Sequence, residues 1–355
     1  ESSGKDRVAA GCYRRQRVGQ EPNVKQIGQM KFLTICAAAA LSAIALVPTP
    51  VRAGTLSTAV ISMFPKDMSE FAYADLKEAR QLSWFAEAQQ QMLPANFREF
   101  EQFLRSAGID PITQVDEMAW GAESANAKHP YEIVGVALGT FSQDATEARF
   151  ASQKIPVVQS RGYKLWAFGS GAGPNDIFFM FFDSNTAAFG QRDLLQRLID
   201  VRFGAAESLL NNSLIFPLIQ DANGNGTIWA VLDQANTRLA LQQLMPQASQ
   251  FPQAEAILSR IHAMEIHVQA GDGIDAKFQA VCASPEDANQ LAAMMQGGIV
   301  LRRYQVQQSD PDLAQALSNV TVSPAGDRLN VEAPVSNDQL AGLIRSRAFA
   351  VGSSQ

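Results

Sequence analysis

Apolar and polar residues alternate over two consecutive runs near the C-terminus, and this pattern restricts that part of the chain to paired β-strands with one buried face. The apolar positions are Met264, Ile266, Val268 and Ala270 in the first run, and Ile274, Ala276, Phe278, Ala280 and Cys282 in the second. A period of two places successive side chains on opposite faces of a strand. The glycine-rich turn at residues 271–273 therefore predicts an antiparallel hairpin.

This hairpin opens a C-terminal module. Ser284, followed by Pro285 and two acidic residues, is typical of a helix start, because it supplies a cap, a favourable first residue and acids for the first turn. After two further short strands, Ser336 and Gln339 predict a capping box for a last helix. The expected order over residues 261–346 is β-β-α-β-β-α.

The N-terminal part shows a related pattern. Strands are predicted at residues 71–75, 115–122, 132–138, 163–168, 177–182 and 227–232, and helices at 76–92, 94–107, 144–151, 185–202 and 207–219. From residue 132 onward the order is β-α-β-β-α-β, which favours a ferredoxin-like arrangement. The predicted fold class is α+β: two pseudo-repeated antiparallel-sheet modules with helices packed on one face. The modules are expected at 54–233 and 261–346, with a helical connector at 234–260 and a flexible tail at 347–355.

Residues 30–53 resemble a secretory signal peptide. Lys31 gives a basic start, residues 32–47 are apolar and uncharged, and Ala53 ends a small-residue motif, so cleavage is expected after Ala53. The alternative is an uncleaved anchor, but sixteen residues of helix span only about 24 Å of a ~30 Å hydrocarbon core. Residues 1–29 are predicted to be a disordered upstream extension, with Met30 as the true first residue or, alternatively, an extended basic leader. The protein is therefore expected in the periplasm or outside the cell.

Cleavage would make the remaining chain strongly acidic. Eight of the 29 basic and three of the 35 acidic residues precede Gly54, which leaves a formal net charge of −11. This argues against nucleic acid or an anionic membrane surface as the partner, because both need concentrated positive charge. No further membrane span is expected, since the apolar run at 177–182 is too short. Cys282 would be the only cysteine, so no internal disulfide is expected.

No group of reactive residues has a catalytic or metal-binding spacing. His129, His262 and His267 match no metal motif, and the alternation places His267 on the solvent side of its strand. Residues 221–226 match the first half of a calcium loop, but Leu232 stands where a bidentate acid is needed. No catalytic, cofactor-binding or metal-ligating residue is predicted.

The remaining candidates have structural explanations. The glycine-rich segment at 169–173 joins two strands and predicts a hairpin loop. Cys282 lies on the inward side of its strand and is expected in the core. The acidic pairs Asp116/Glu117 and Glu286/Asp287 fall at an element boundary and a helix start.

Large apolar side chains surround two amphipathic helices: Leu82, Trp84, Phe85, Met92, Leu93, Phe97, Phe100 and Phe103. Core packing is the default explanation. The alternative is an apolar groove between these helices and the sheet, able to hold a lipid or a partner segment.

The chain resembles a broad group of exported bacterial proteins of unassigned function. These share a signal peptide, a proline before a short strand ending in Asp-Leu (here Pro65 and residues 71–76), and a Gly-Ile/Phe-Asp-Pro motif, here residues 108–111. The resemblance covers most of residues 55–346 and implies no catalytic residues. The leading hypothesis is a non-enzymatic envelope protein that binds a partner protein or an apolar ligand. The alternatives are a hydrolase with an unrecognised site and an inactive scaffold or assembly domain.

Overall fold

Twelve strands form one antiparallel sheet in the computed structural model, which describes residues 54–82, 85, 95–124, 132–173, 176–244, 256, 258–270 and 273–345. The strands are β1 (Glu70–Asp75), β2 (Val115–Glu123), β3 (Glu132–Gly139), β4 (Val157–Ser160), β5 (Tyr163–Phe168), β6 (Ile177–Phe181), β7 (Thr186–Gln191), β8 (Ile228–Asp233), β9 (Ile261–Ala270), β10 (Gly273–Cys282), β11 (Thr321–Ala325) and β12 (Arg328–Ser336). Their order across the sheet is β11-β12-β10-β9-β8-β1-β2-β3-β7-β6-β5-β4.

The helices begin largely where local chemistry predicts. They are α1 (Thr58–Ile61), α2 (Leu76–Ala79), α3 (Ala95–Ser106), α4 (Pro111–Gln114), α5 (Gln143–Ser152), α6 (Arg192–Arg202), α7 (Ile215–Ala222), α8 (Gln234–Leu244), α9 (Pro285–Val306), α10 (Pro311–Ser318) and α11 (Asn337–Arg345). The Ser284 hydroxyl accepts the Asp287 backbone N–H at the start of α9. Ser336 and Gln339 exchange hydrogen bonds of 3.0 and 3.4 Å at the start of α11, which confirms the predicted capping box.

The sheet has two differently covered faces. The α7 face carries Trp229 and Val231 and packs against α6 and α7. The α9 face carries Ala280 and Leu329 where it packs against α9, and Phe179 near the other end, where α3 and α5 cover it. The structure is therefore α+β, with helices on both faces of a large antiparallel sheet.

Two features of the predicted fold class are wrong. The strand at 228–233 does not join β3, β5 and β6 in a ferredoxin-like sheet, because it pairs with β1 and β9. Helices also cover both faces of the N-terminal strands. The reason is visible in β6, where Phe178 and Met180 are buried on the α7 face while Phe179 and Phe181 are buried on the α9 face. A strand that is apolar on both sides needs cover on both sides.

A strand replaces the start of a predicted helix. Residues 185–202 were expected to form one helix, but β7 occupies Thr186–Gln191 and α6 begins only after it. The alanines of this segment favour a helix locally. Pairing with β3 on one side and β6 on the other outweighs that preference, because it satisfies the backbone groups of β7 on both edges. The helix expected at 207–219 is likewise a short 3₁₀ turn at Leu209–Asn211 followed by α7.

The two predicted modules share the sheet. β8 pairs with β9 through six residue pairs, across the segment predicted as a connector, and α8 occupies the first part of that segment. The division into 54–233 and 261–346 stays a prediction. The predicted leader at 30–53, the upstream extension and the tail lie outside the described residues, as does His129.

Two glycines test which backbone positions are sterically constrained. A Cβ at Gly139 would lie 1.9 Å from the Gln114 carbonyl oxygen, whereas a Cβ at Gly297, inside α9, would meet nothing within 4 Å. We expect Gly139→Ala to lower the free energy of unfolding by about 2 kcal/mol or more, and Gly297→Ala to raise it by about 1 kcal/mol. Urea denaturation of both variants measures the difference, and a neutral Gly139→Ala would contradict the close approach.

Candidate functional site

A polar cleft of about 690 Å³ lies on the α7 face of strands β9, β10 and β12. Its volume falls in the range of small-molecule sites. It is lined by Asp221, Gly224, Asn225, Glu265, His267, Gln269, Asp275, Lys277, Phe278, Gln279, Asn330, Val331 and Glu332. The lining contains four carboxylates and four side-chain amides.

Strand register brings these side chains together. On β9 and β10, Glu265 lies opposite Gln279, His267 opposite Lys277, and Gln269 opposite Asp275. On β12, Asn330 lies opposite Gln279 and Glu332 opposite Lys277. These rows point to one face because the side-chain period of a strand is two. The C-terminal end of α7 and the turn after it supply a side wall.

A buried ion pair stands at one end of the cleft. The Glu265 side chain is only 3% exposed, and one of its carboxylate oxygens accepts a hydrogen bond of 3.1 Å from Arg328 Nη1. The same nitrogen donates to Gln279 Oε1, and Gln279 donates to Asn330 Oδ1 at 2.8 Å. Arg328 Nη2 lies 3.8 Å from Asp221 Oδ2. Arg328 therefore compensates a carboxylate that would otherwise be costly to bury.

His267 lies beside this pair. Its Nε2 is 3.5 Å from Glu265 Oε2, and its Nδ1 is buried without a hydrogen-bond partner among the described residues. The predicted solvent-side position of His267 is correct in direction, but the side chain is only 15% exposed because it lines the cleft. His262 is exposed and does not line the cleft.

The calcium-like segment contributes to the same cleft. Asp221, Gly224 and Asn225 form part of its wall. Leu232 is fully buried in β8, so the position that would close a calcium shell is a core residue. Within the described ranges, no three His, Cys, Asp or Glu residues form a group that could hold a metal ion.

The glycine-rich loop between β5 and β6 is a hairpin loop, as predicted. The Asp176 carboxylate accepts a hydrogen bond of 2.9 Å from the Ser170 hydroxyl and one of 3.0 Å from the Gly173 N–H. A carboxylate thus already occupies donors of this loop, and its charge would repel a phosphate.

Cys282 is a buried core residue, as predicted. Burial raises the pKa of its thiol to about 11, and the charges of Asp287 and Asp327 add to this shift. The thiol therefore stays protonated at neutral pH, which argues against a nucleophilic role. Asp116 pairs with Arg80, and Asp287 pairs with Arg260 at 2.6 Å.

Two aromatic residues of α3, Phe100 and Phe103, pack against the core. The Phe103 ring stacks on Phe150 at a centroid distance of 5.0 Å, and the Phe100 ring lies 5.5 Å from Phe168. Core packing therefore explains these two residues. Trp84, Met92 and Leu93 lie outside the described residues.

Comparisons with known proteins give structural neighbours only. No protein-family model and no curated protein sequence matches the chain. The fold is similar to that of TP0453, a Treponema envelope protein, in two crystal forms. Form I is 10% identical with a TM-score of 0.44, and covers 85% of this chain and 99% of that chain. Form IV is 9% identical with a TM-score of 0.45, and covers 81% and 96%.

The described helices also bear on membrane insertion. None of them is both long enough and apolar enough to cross a bilayer.

The Glu265–Arg328 pair yields a direct test of the site's construction. Arg328→Met leaves the buried Glu265 carboxylate without its cation, and we expect the free energy of unfolding to fall by about 3 kcal/mol. This value is at the low end for broken buried ion pairs, because the Arg328 side chain is one-third exposed. The double variant Glu265→Gln/Arg328→Met removes both charges and should recover most of this loss. Urea denaturation at pH 7 measures each value. Equal losses in the single and double variants would contradict the pairing.

Proposed function

We propose that this chain is an exported, non-enzymatic protein of the bacterial envelope that binds a polar ligand in the cleft over β9, β10 and β12. The leader-like sequence at residues 30–53 supports export. The observation that carries the binding role is the cleft itself, in which the buried Glu265, paired with Arg328, and the largely buried His267 line a space of small-molecule size. Such convergent polar groups in a cavity are typical of ligand sites.

The chemistry of the lining favours a cationic ligand rich in hydrogen-bond donors. The charged donors near the cleft already have partners, because Arg328 serves Glu265 and Gln279, while Lys277 lies 3.3 Å from Glu332. Acceptors remain. Asp275 lines the cleft, is exposed, and has no ion-pair partner among the described residues. An aliphatic amine supplies both the charge and the donors that this surface lacks.

This ligand differs from the one the sequence suggested. An apolar ligand was expected because of the large side chains near α3, but two of these, Phe100 and Phe103, pack against other aromatic rings of the core. A partner protein remains compatible with the cleft if it presents a lysine side chain there.

Calorimetric titration with spermidine tests the proposal. We expect spermidine to bind, and its affinity to fall as ionic strength rises. Asp275→Asn removes a negative charge from the lining and should weaken binding several-fold. Lys277→Gln removes a positive charge and should strengthen it. Glu286→Gln is the matched control, since Glu286 is exposed on α9, away from the cleft. No binding, or an equal loss in the control, would contradict the proposal.

The hydrolase alternative has one observation in its favour. His267 lines the cleft with its Nε2 3.5 Å from Glu265 Oε2, and a histidine beside a carboxylate is a pairing that general bases use. The cleft lining contains no Ser, Thr or Cys, so water would be the nucleophile. Hydrolysis of a chromogenic ester or phosphate that Glu265→Gln and His267→Gln both abolish would favour this alternative over a binding role.

The assembly alternative is favoured by an exposed apolar surface on α9. Val300, Leu301 and Tyr304 are exposed, Tyr304 by 79%. Analytical ultracentrifugation of the wild type and of Leu301→Glu tests it. Self-association that the variant abolishes would support assembly as the role.

A further inference from the structure

Gly54, the residue after the predicted cleavage point, packs directly against the side chains of Tyr73 and Asp75. A Cβ built on Gly54 would lie 2.6 Å from the Tyr73 hydroxyl and 2.8 Å from Asp75 Oδ2. The Cα of Gly54 therefore touches both side chains, and only glycine fits without a shift. Because the α-nitrogen is one bond from this Cα, it lies within about 5 Å of the Asp75 carboxylate.

The segment that follows holds Gly54 in place. The Leu56 N–H donates to Asn223 Oδ1 at 2.9 Å, and Asn223 Nδ2 donates to the Leu56 carbonyl at 2.9 Å. The Leu56 side chain is buried in the core of the α7 face. Gly54 thus lies two residues from a fixed anchor point, so its position beside Asp75 follows from packing.

The acidic group carries more negative charge than its surroundings compensate. It consists of Asp75, Glu78 and Glu117, and we call it the β1 acidic cluster. Tyr73 donates to Glu117 Oε2 at 3.3 Å, and Thr227 donates to Glu78 Oε2 at 3.3 Å. Within the described part of the chain, none of the three acids has an ion-pair partner.

Nearby charged residues do not neutralise the negative charge of the β1 acidic cluster. The nearby Asp116 is paired with Arg80, and the charge of Lys77 acts only weakly on Glu117. Burial raises the pKa of both Glu78 and Glu117, and the charge of Asp75 raises each further. Among the described residues, no positive charge pairs with this cluster, so the site favours one.

We propose that cleavage after Ala53 supplies this charge: the new α-ammonium of Gly54 pairs with the β1 acidic cluster and stabilises the mature fold. The reaction is hydrolysis by a protease that removes export leaders. The Ala53–Gly54 amide bond breaks, water supplies the hydroxyl of the new Ala53 carboxyl group and a proton of the Gly54 amine, and the amine takes a further proton from solvent. This inference rests on the export proposed above and assigns a second consequence to the same cleavage.

The test compares two forms of the chain that begins at Gly54, one with a free amine and one with an acetylated amine. NMR titration of the free form should place the pKa of the α-amine about one unit above its usual value of about 7.7–8.0. By linkage, the unfolding equilibrium constant of the free form should then be about tenfold smaller at pH 6.5. A pKa that is higher in the folded than in the unfolded chain stabilises the fold fully at pH values below the unfolded-state pKa of the amine. The difference in stability between the free and acetylated forms should therefore disappear as the pH rises through the folded-state pKa.

Matched variants separate charge from structure. Asp75→Asn keeps a side-chain oxygen that can cap α2, where Asp75 Oδ1 accepts the Glu78 N–H at 2.9 Å, but it removes the charge. We expect it, and Glu117→Gln, to reduce the difference between the free and acetylated forms. Asp67→Asn, on the surface outside the cluster, should leave the difference unchanged.

Two outcomes would overturn the proposal, and they are distinguishable. An ordinary amine pKa in a chain that starts at Gly54, with no cost of acetylation, contradicts the pairing and leaves export intact. An intact mass showing that the exported protein keeps its leader contradicts the cleavage itself.

Discussion

The pairing of β8 with β9 is the contact on which the rest of the structure depends. Its register sets Trp229 opposite His267 and Val231 opposite Glu265, on the same face of the sheet. On the β8 side this face is a closed apolar core under α6 and α7, and on the β9 side it opens into the polar cleft. One strand pair therefore both joins the two halves of the sheet and marks the boundary between core and site.

The register leaves little freedom. A slip of one residue would exchange the faces of β9, so that Glu265 and His267 would enter the apolar layer that now holds Ile266 and Val268. The observed register has its own cost, because Glu265 is buried. Arg328, which reaches it from β12, offsets that cost. The cleft and the sheet are thus stabilised by the same contacts.

Sequence patterns predicted the features whose causes are local. The hairpin of β9 and β10, the helix start at Ser284 and the capping box at Ser336 all follow from residues within a few positions of one another. The identity of β7 and the pairing of β8 with β9 did not follow, because strand pairing is decided by partners far along the chain. The leader lies outside the described residues and stays a prediction.

The cleft was only partly predictable. Alternation placed the side chain of His267 on the polar side of β9. No nearby residue indicated that Arg328, which lies 63 residues after Glu265, would pair with the Glu265 carboxylate. In the sequence, the side wall at residues 221–225 was recognised only as an incomplete calcium-loop motif. The sheet brings His267, Asp221 and Asn225 together in one cleft, although they lie far apart in the sequence.

Interstrand NOEs between β8 and β9 in the folded protein test this account most directly. The account predicts backbone NOEs that link Trp229 with His267 and Val231 with Glu265. NOEs that instead link Trp229 with Ile266 or Val268, or a complete absence of contacts between the two strands, would contradict it.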